Sequence, residues 1–294
     1  MTADLPRLPE PSLLADLSRE TAAREKVQPE LIEKDLYLTR LLWMLGQWFG
    51  PRLLLKGGTL LSKVDLGFFR LSEDADLVMP VAASRNRGRN VRQLQEVRDA
   101  LKQLGQKVGV APRFPSGELF EKGAHVVWDL SYRSEFGAQA IRLEVSLRAA
   151  LRPGRRVVLR QLLSDPLVGN YSEAFCWGLD AEEARAEKVR AAFTREAIRD
   201  FYDLDRLVDA GTDFTSKRFV ALVDAKLAEL KEAPLYEQPT SFRLTRAKVR
   251  SLEAAANSEL AAVLRADAPA FDLAAMVRRF DRLWGKQSIP QRDS

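Results

Sequence analysis

Two carboxylates two residues apart, Asp74 and Asp76 in RLSEDADLV, follow within twenty residues of a glycine pair, Gly57 and Gly58, in LLLKGGTLLSK. On a strand the two acids point to one face roughly 7 Å apart along the chain, so both can reach one divalent ion that prefers oxygen, as magnesium does. A Gly-Gly turn opening a helix suits a phosphate instead: without Cβ atoms the backbone can take positive φ and come close, and the free N–H groups of the new helix point at the anion. Thr59 adds a hydroxyl. Together they are suited to a nucleoside triphosphate and its magnesium. KGGTLLSK does not satisfy G-x-x-x-x-G-K-[ST], which argues against a P-loop NTPase. A lone D-x-D is usually a turn or surface feature, and its weight here comes from its spacing to the glycines.

The elements that must hold these residues can be read from periodicity. PSLLADLSRETAAREKV reads as a first helix. QPELIEKDLYLTRLLWMLGQWFG reads as a second, with Leu31, Leu38, Leu41, Leu42 and Leu45 near helical spacing and a stop at Gly50-Pro51; it should cover one face of a sheet. Glu33, Lys34 and Asp35 on its early turns read equally well as a solvated charge run. Residues 52–56 read as a buried strand feeding the Gly-Gly turn, and Leu77 to Met79 as the next strand, ended by Pro80. An amphipathic basic helix is expected over 84–106 and a loop over 107–123. Strands follow at 125–132 and 140–147, the second alternating Ile141, Leu143 and Val145 against Arg142, Glu144 and Ser146. Glu144 is thus a polar-face carboxylate on a strand expected beside that of Asp74 and Asp76; pairing to Arg142 or Arg148 is its structural alternative. His125 reads as a packing or surface residue.

From about residue 165 the composition turns helical, with a loop around SDPLVGNYS. If AEEARAEKVRAAFTREAIRDFYDLDRLVDAG formed one helix, Lys188, Arg195, Arg199 and Asp203 would lie within about 80° of one another, a polar stripe that a salt-bridged surface also produces. Residues 214–286 read as three amphipathic helices broken at Pro234 to Pro239 and around Pro269, and SIPQRDS as a frayed tail.

Composition fits an ordinary folded protein of 294 residues, 46% of them apolar, long enough for two domains. No apolar run reaches membrane-spanning length and MTADLPRLPEP lacks the order of a signal peptide, so a cytoplasmic protein is expected. One cysteine, Cys176, and one histidine exclude an internal disulfide and a Cys/His zinc site, leaving oxygen ligands for any metal. The net charge of +5 is compatible with a polyanionic partner. Two arginine groups, Arg85, Arg87, Arg89 and Arg92, then Arg148, Arg152, Arg155, Arg156 and Arg160, are candidate phosphate-contacting surface.

Read in order, LIEKDLYLTRLL, LLLKGGTLLSK, FFRLSEDADLV, RLEVSLR and AEKVRAAFTREAIRDFYDL resemble the AbiEii/AbiGii nucleotidyltransferase toxin family, which includes the MenT toxins; the resemblance spans residues 30–210. It implies an α/β (α+β) fold: a polymerase-β-like nucleotidyltransferase domain over 1–165, with a mixed sheet flanked by helices, then a helical domain over 166–294 that contributes Lys188 and the RDFYDL segment to the site. It further implies the toxin of a toxin–antitoxin or abortive-infection pair, partnered by a winged-helix, DNA-binding antitoxin. Such enzymes transfer nucleotides from an NTP, and some MenT members add them to the 3′ end of tRNA, blocking aminoacylation and translation. Residue by residue, Gly57, Gly58 and Thr59 match the phosphate-binding turn, with Lys63 beside it, and Asp74 and Asp76 match the metal pair. Arg70 and Ser72 fall in the R-x-S-E-D stretch, Glu144 matches the third acid, Lys188 the lysine of A-E-K, and Arg199, Asp200 and Asp203 the R-D-x-Y-D-L segment. Ala75 stands where a branched apolar residue is usual, and the third acid is Glu where many nucleotidyltransferases have Asp.

The implied chemistry is two-metal nucleotidyl transfer, with magnesium (manganese able to substitute) held by Asp74 and Asp76 and Glu144 as ligand or base. Lys188 and Arg199 would neutralise phosphate charge, with Asp203 or Asp200 orienting Lys188. The competing readings are a D-x-D glycosyltransferase, a non-catalytic nucleic-acid-binding module, and an enzyme that modifies a protein hydroxyl. The first leaves the Gly-Gly helix start and the lysine helix unexplained. The second leaves three acids where phosphates would be repelled.

Overall fold

The computed structural model describes residues 5–195, 197–231 and 244–284, which group into two compact units, Met1–Asp180 and Ala181–Ser294. The expected break at Pro234 to Pro239 and the tail SIPQRDS lie outside the described residues.

The first unit opens with α1 (Pro11–Glu25) and α2 (Pro29–Phe49), each with a proline in its first turn, where the missing N–H costs nothing. Gly50 caps α2 with φ 56°, the stop expected at Gly50-Pro51. Ile32, Leu36, Leu41 and Leu42 are completely buried, because α1 packs on one side of α2 and the sheet on the other. β1 (Leu54–Leu55) leads through Lys56 into α3 (Gly57–Leu60), which continues as a π-helical turn, Leu61–Asp65. Next come β2 (Asp74–Met79), α4 (Arg87–Val108), β3 (Ala111–Pro112), β4 (Glu118–Phe120), β5 (His125–Tyr132), β6 (Gln139–Leu147), β7 (Arg155–Val158) and β8 (Phe175–Gly178).

Among the described residues these eight strands form one mixed sheet, ordered β3-β5-β6-β2-β1-β8-β7 with β4 paired to β5. β2 runs parallel to β6 and antiparallel to β1, and β1 runs parallel to β8. Gly46 lets α2 approach the backbone of β8, since a Cβ there would lie 2.7 Å from Cys176 Cα. Following the register outward from that contact puts Cys176, Leu55, Leu77 and Val145 on the α2 side. Asp74, Asp76, Arg142 and Glu144 therefore belong to the opposite side.

Two expectations are corrected here. The stretch read as loop over 107–123 carries the short strands β3 and β4. Residues 175–178, in the region read as turning helical from about 165, are instead the strand β8, paired to β7 at 155–158, a stretch for which no element was expected. Each of these strands is too short for period-2 alternation to show in the sequence, and their pairing is what makes them strands.

The second unit is helical: α5 (Ala181–Arg195), α6 (Ile198–Asp209), α7 (Lys217–Ala228), α8 (Arg246–Ala255) and α9 (Leu273–Trp284). The segment considered as one helix is two, with Ala197 extended at ψ 139°. No helix among the described residues is long and apolar enough to cross a membrane.

Candidate active site

Parallel register places Asp74 opposite Arg142 and Asp76 opposite Glu144, and the antiparallel neighbour adds Asp129 beside Arg142 and Val127 beside Glu144. Two cross-strand rows result, Asp74–Arg142–Asp129 and Asp76–Glu144–Val127, on the sheet face turned away from α2. Asp74, Asp76 and Glu144 are all partly exposed.

The glycine turn is fitted to the second aspartate. Gly57 has φ 69°, and a Cβ on it would lie 2.4 Å from Asp76 Oδ2. Gly58 packs as closely on the Arg70 guanidinium, its Cβ position 2.1 Å from Nη2. Arg70 is buried and donates to the Leu71 carbonyl at 2.9 Å. Thr59 is also buried: its hydroxyl donates to the Asp74 carbonyl oxygen and shares a 2.7 Å hydrogen bond with the Ser72 hydroxyl. Thr59 and Ser72 thus tie the helix start to the head of β2, and with it Gly57 to the carboxylates.

Both oxygens of Glu144 are engaged, Oε1 by Arg142 Nε at 2.7 Å and Oε2 by His125 Nε2 at 3.2 Å. The His125 contact above all, aided by Arg142 and opposed by burial, holds its carboxyl down at about 2. The arginine pairing weighed as its structural alternative is present, joined by His125, which the β5–β6 register brings there. Each oxygen keeps a second lone pair, so a metal ligated by Glu144 would share it with these partners.

Among the described residues no group of three or more Asp, Glu, His or Cys side chains surrounds a single metal position. Magnesium does not need one, since it is usually held by one or two carboxylates together with substrate phosphates and water. Asp74 and Asp76, hard oxygen donors on one face of β2, fit that mode, and Gly57 leaves Asp76 the room a Cβ would take.

Lys63, on the π-helical turn that continues the glycine helix, is turned into the interior. It is fully buried, its ammonium bonded to Asp35 Oδ1 on α2 and 5.2 Å from the Phe68 ring centre. Burial lowers its pKa and Asp35 opposes that shift. Asp35 Oδ2 accepts from the Leu162 N–H at 3.2 Å, so one carboxylate joins α2, the π-helical turn and the loop after β7. The charge run on α2 is correspondingly not a solvated one: Glu33 and Asp35 are both buried. The signal available in the sequence was the apolar residues flanking LIEKDLYL on every side of the helix, the mark of a buried one.

In the second unit the break after Arg195 turns α6 back onto α5. Lys188 Nζ sits 2.8 Å from both Asp200 Oδ1 and Asp203 Oδ2, and Arg195 grips Asp200 with two bonds, Nε to Oδ2 at 2.6 Å and Nη2 to Oδ1 at 2.9 Å. Lys188, Asp200 and Asp203 are buried. Burial works against the Asp200 charge, but Lys188 and Arg195 outweigh it and hold the carboxyl below its usual range. Arg199 points elsewhere, donating to the Glu259 carbonyl at 3.2 Å.

The model of the family described as "Nucleotidyl transferase AbiEii toxin, Type IV TA system" matches residues 46–285. Among solved structures, the chain is similar to MenT4, the nucleotidyltransferase toxin Rv2826c from Mycobacterium tuberculosis H37Rv, at 20% identity and TM-score 0.65, over 95% of this chain and 91% of that one. It is also similar to JHP933 from Helicobacter pylori, at 16% identity and TM-score 0.49, over 89% and 96% of the two chains. No curated protein matches. The mixed sheet flanked by helices is the fold of the MenT4 structure.

Proposed function

The chain belongs to the AbiEii nucleotidyltransferase toxin family, and from that premise we propose that it transfers a nucleoside monophosphate from an NTP to an RNA acceptor, most simply the 3′ end of tRNA. The observation that carries this reading is the pair Asp74 and Asp76 on β2 with the Gly57 backbone packed against Asp76. A metal-binding edge and a phosphate-binding turn then meet on one sheet face. In the reaction the acceptor hydroxyl oxygen forms a bond to the α-phosphorus as the bond to the pyrophosphate leaving group breaks. Asp74 and Asp76 would hold magnesium, or manganese in its place, which when bound would supply charge neutralisation for the triphosphate and activation of the acceptor hydroxyl.

Gly57 and Gly58 present the turn to the triphosphate, Thr59 and Ser72 hold that turn to β2, and buried Arg70 supports it from beneath. Glu144, with its carboxyl near 2, is a weak proton acceptor at neutral pH, so its part here is to fix Arg142 and His125 beside Asp76 rather than to act as base. The resemblance assigns Lys188 and Asp203 to the same reaction, and Lys63, Arg70, Ser72 and Arg199 to the nucleotide and its phosphates; the internal pairings of Lys63 and Lys188 favour positioning roles for both. A cognate antitoxin follows from the family, and a winged-helix, DNA-binding one acting with the toxin in the cytoplasm is part of the proposal.

The test is incubation with each of four labelled NTPs and total cell RNA and protein. Label is expected in small RNA and absent with Asp76→Ala, which should remain folded. Label in the protein fraction would mark the acceptor as a protein hydroxyl. Transfer retained by Asp76→Ala would overturn the metal assignment, and full activity of Lys188→Ala would make that residue purely structural.

A further inference from the structure

The charges of α4 are arranged differently at its two ends. Toward its C-terminal half they are matched: Lys102 bonds Asp99 at 2.9 Å, Gln95 bonds Asp99 at 3.1 Å, and Glu96 holds Arg52 at 2.6 Å. At its start Arg85, Arg87, Arg89 and Arg92 are all exposed, no acidic residue occupies the first turn, and among the described residues none of the four has an ion-pair partner. Cations there oppose the helix dipole and one another, so local stability does not explain them.

A second segment is folded onto this one. Gly123 has φ 75°, and a Cβ on it would come within 2.9 Å of Val91 Cγ2 and 3.3 Å of Arg87 Cγ, so only glycine brings the turn this close. Beside it Lys122 is exposed, likewise without an ion-pair partner among the described residues, with φ 54°. The carboxamide of Asn90, completely buried, joins the two segments. It accepts from the Ser84 N–H at 2.7 Å and donates to the Ser84 carbonyl at 2.9 Å and the Lys122 carbonyl at 3.2 Å. Five cations are thus carried on a fixed backbone; within residues 84–92 and 121–123 the one carboxylate is Glu121, exposed and bonded to none of them.

We propose that this patch, Arg85, Arg87, Arg89, Arg92 and Lys122, docks the phosphodiester backbone of the RNA acceptor. Charge complementarity carries the assignment: guanidinium forks pair with phosphate oxygens, and unmatched cations on a fixed frame release counterions when they do. Such contacts position an RNA without reading its sequence. The proposal rests on the RNA-acceptor reading above and adds the surface that holds the acceptor.

The test is the variant R87E/R89E/R92E. Acidic residues in the first turns of a helix suit its dipole, so its melting temperature should match or exceed that of the wild type, and lost binding cannot be attributed to unfolding. Affinity for unfractionated tRNA, followed by fluorescence anisotropy, should fall at least tenfold. For R87A/R89A/R92A the slope of log K against log salt should become shallower by about 2 to 3. In the transfer assay KM for RNA should rise with kcat little changed, and KM for NTP should stay the same. Unchanged tRNA affinity and salt slope in a wild type that labels RNA would overturn the surface alone. A wild type that neither binds nor labels RNA, and labels protein, would overturn the RNA reading and this surface together.

Discussion

Burial holds the Glu33 carboxyl above the usual carboxylate range; the bond from the Ser134 hydroxyl works against this and nearby Glu135 adds to it. A carboxyl raised in the folded state contributes its full stability below its unfolded pKa and loses it as pH rises through the folded value. Glu33→Gln, which keeps an acceptor for Ser134, should therefore change stability little at pH 4 and increase it at pH 8. Urea denaturation at the two pH values checks this, and a gain equal at both would refute it. Lys63 and Asp35 form a buried pair of the kind whose separation is costly. Lys63→Met alone should destabilise by about 3 to 5 kcal/mol, because it strands the Asp35 charge, whereas Lys63→Met with Asp35→Leu should recover much of that loss in the same measurement. The sequence makes these residues visible as types but not as partners. They stand 28 positions apart, and only the docking of α2 against the turn after α3 brings them together.

At the scale of elements, the glycine turn and β2 act as one piece, and the two glycines should respond differently to alanine. Gly57→Ala must place a Cβ at positive φ and against the Asp76 carboxylate, costing about 1 to 2 kcal/mol in backbone strain and displacing the group that the proposed transfer needs. Activity should fall to background while the protein folds. Gly58→Ala meets the end of the Arg70 side chain, which can give way, so it should retain more activity. Comparing the two in the transfer assay is decisive; an inert Gly58→Ala beside an active Gly57→Ala would reverse the assignment. This part of the site was legible because glycines, carboxylates and the alternation of 141–146 are all local signals. The break between α5 and α6 was not: REAIRD contains no glycine or proline, and what turns the chain there is the pairing of Asp200 with both Lys188 and Arg195. β7 and β8, four residues each, escaped because they are too short to show alternation, and β8 joins the sheet through β1, far away in sequence.

At the scale of the whole molecule, acid should act unevenly on the two units. The Asp200 carboxyl, lowered by Lys188 and Arg195 against burial, contributes stability that is complete above the ordinary carboxylate value of 3.8 and is lost as pH falls below it. Hydrogen exchange followed by segment should show α5 and α6 losing protection as pH drops from about 5 to 2. Asp200→Asn should be destabilised at pH 7 and lose most of that pH dependence, whereas equal dependence in the variant would rule the cluster out as the cause. The parallel pairing of Leu55 with Gly178 sets a schedule as well as a shape. These partners lie 123 residues apart, so a ribosome moving at 5–20 residues per second needs roughly 6 to 25 s between them. For most of that interval the nascent chain already has its glycines and both aspartates but not the strand that completes the sheet. A chain built in this order cannot close its sheet until the last of these strands has left the ribosome.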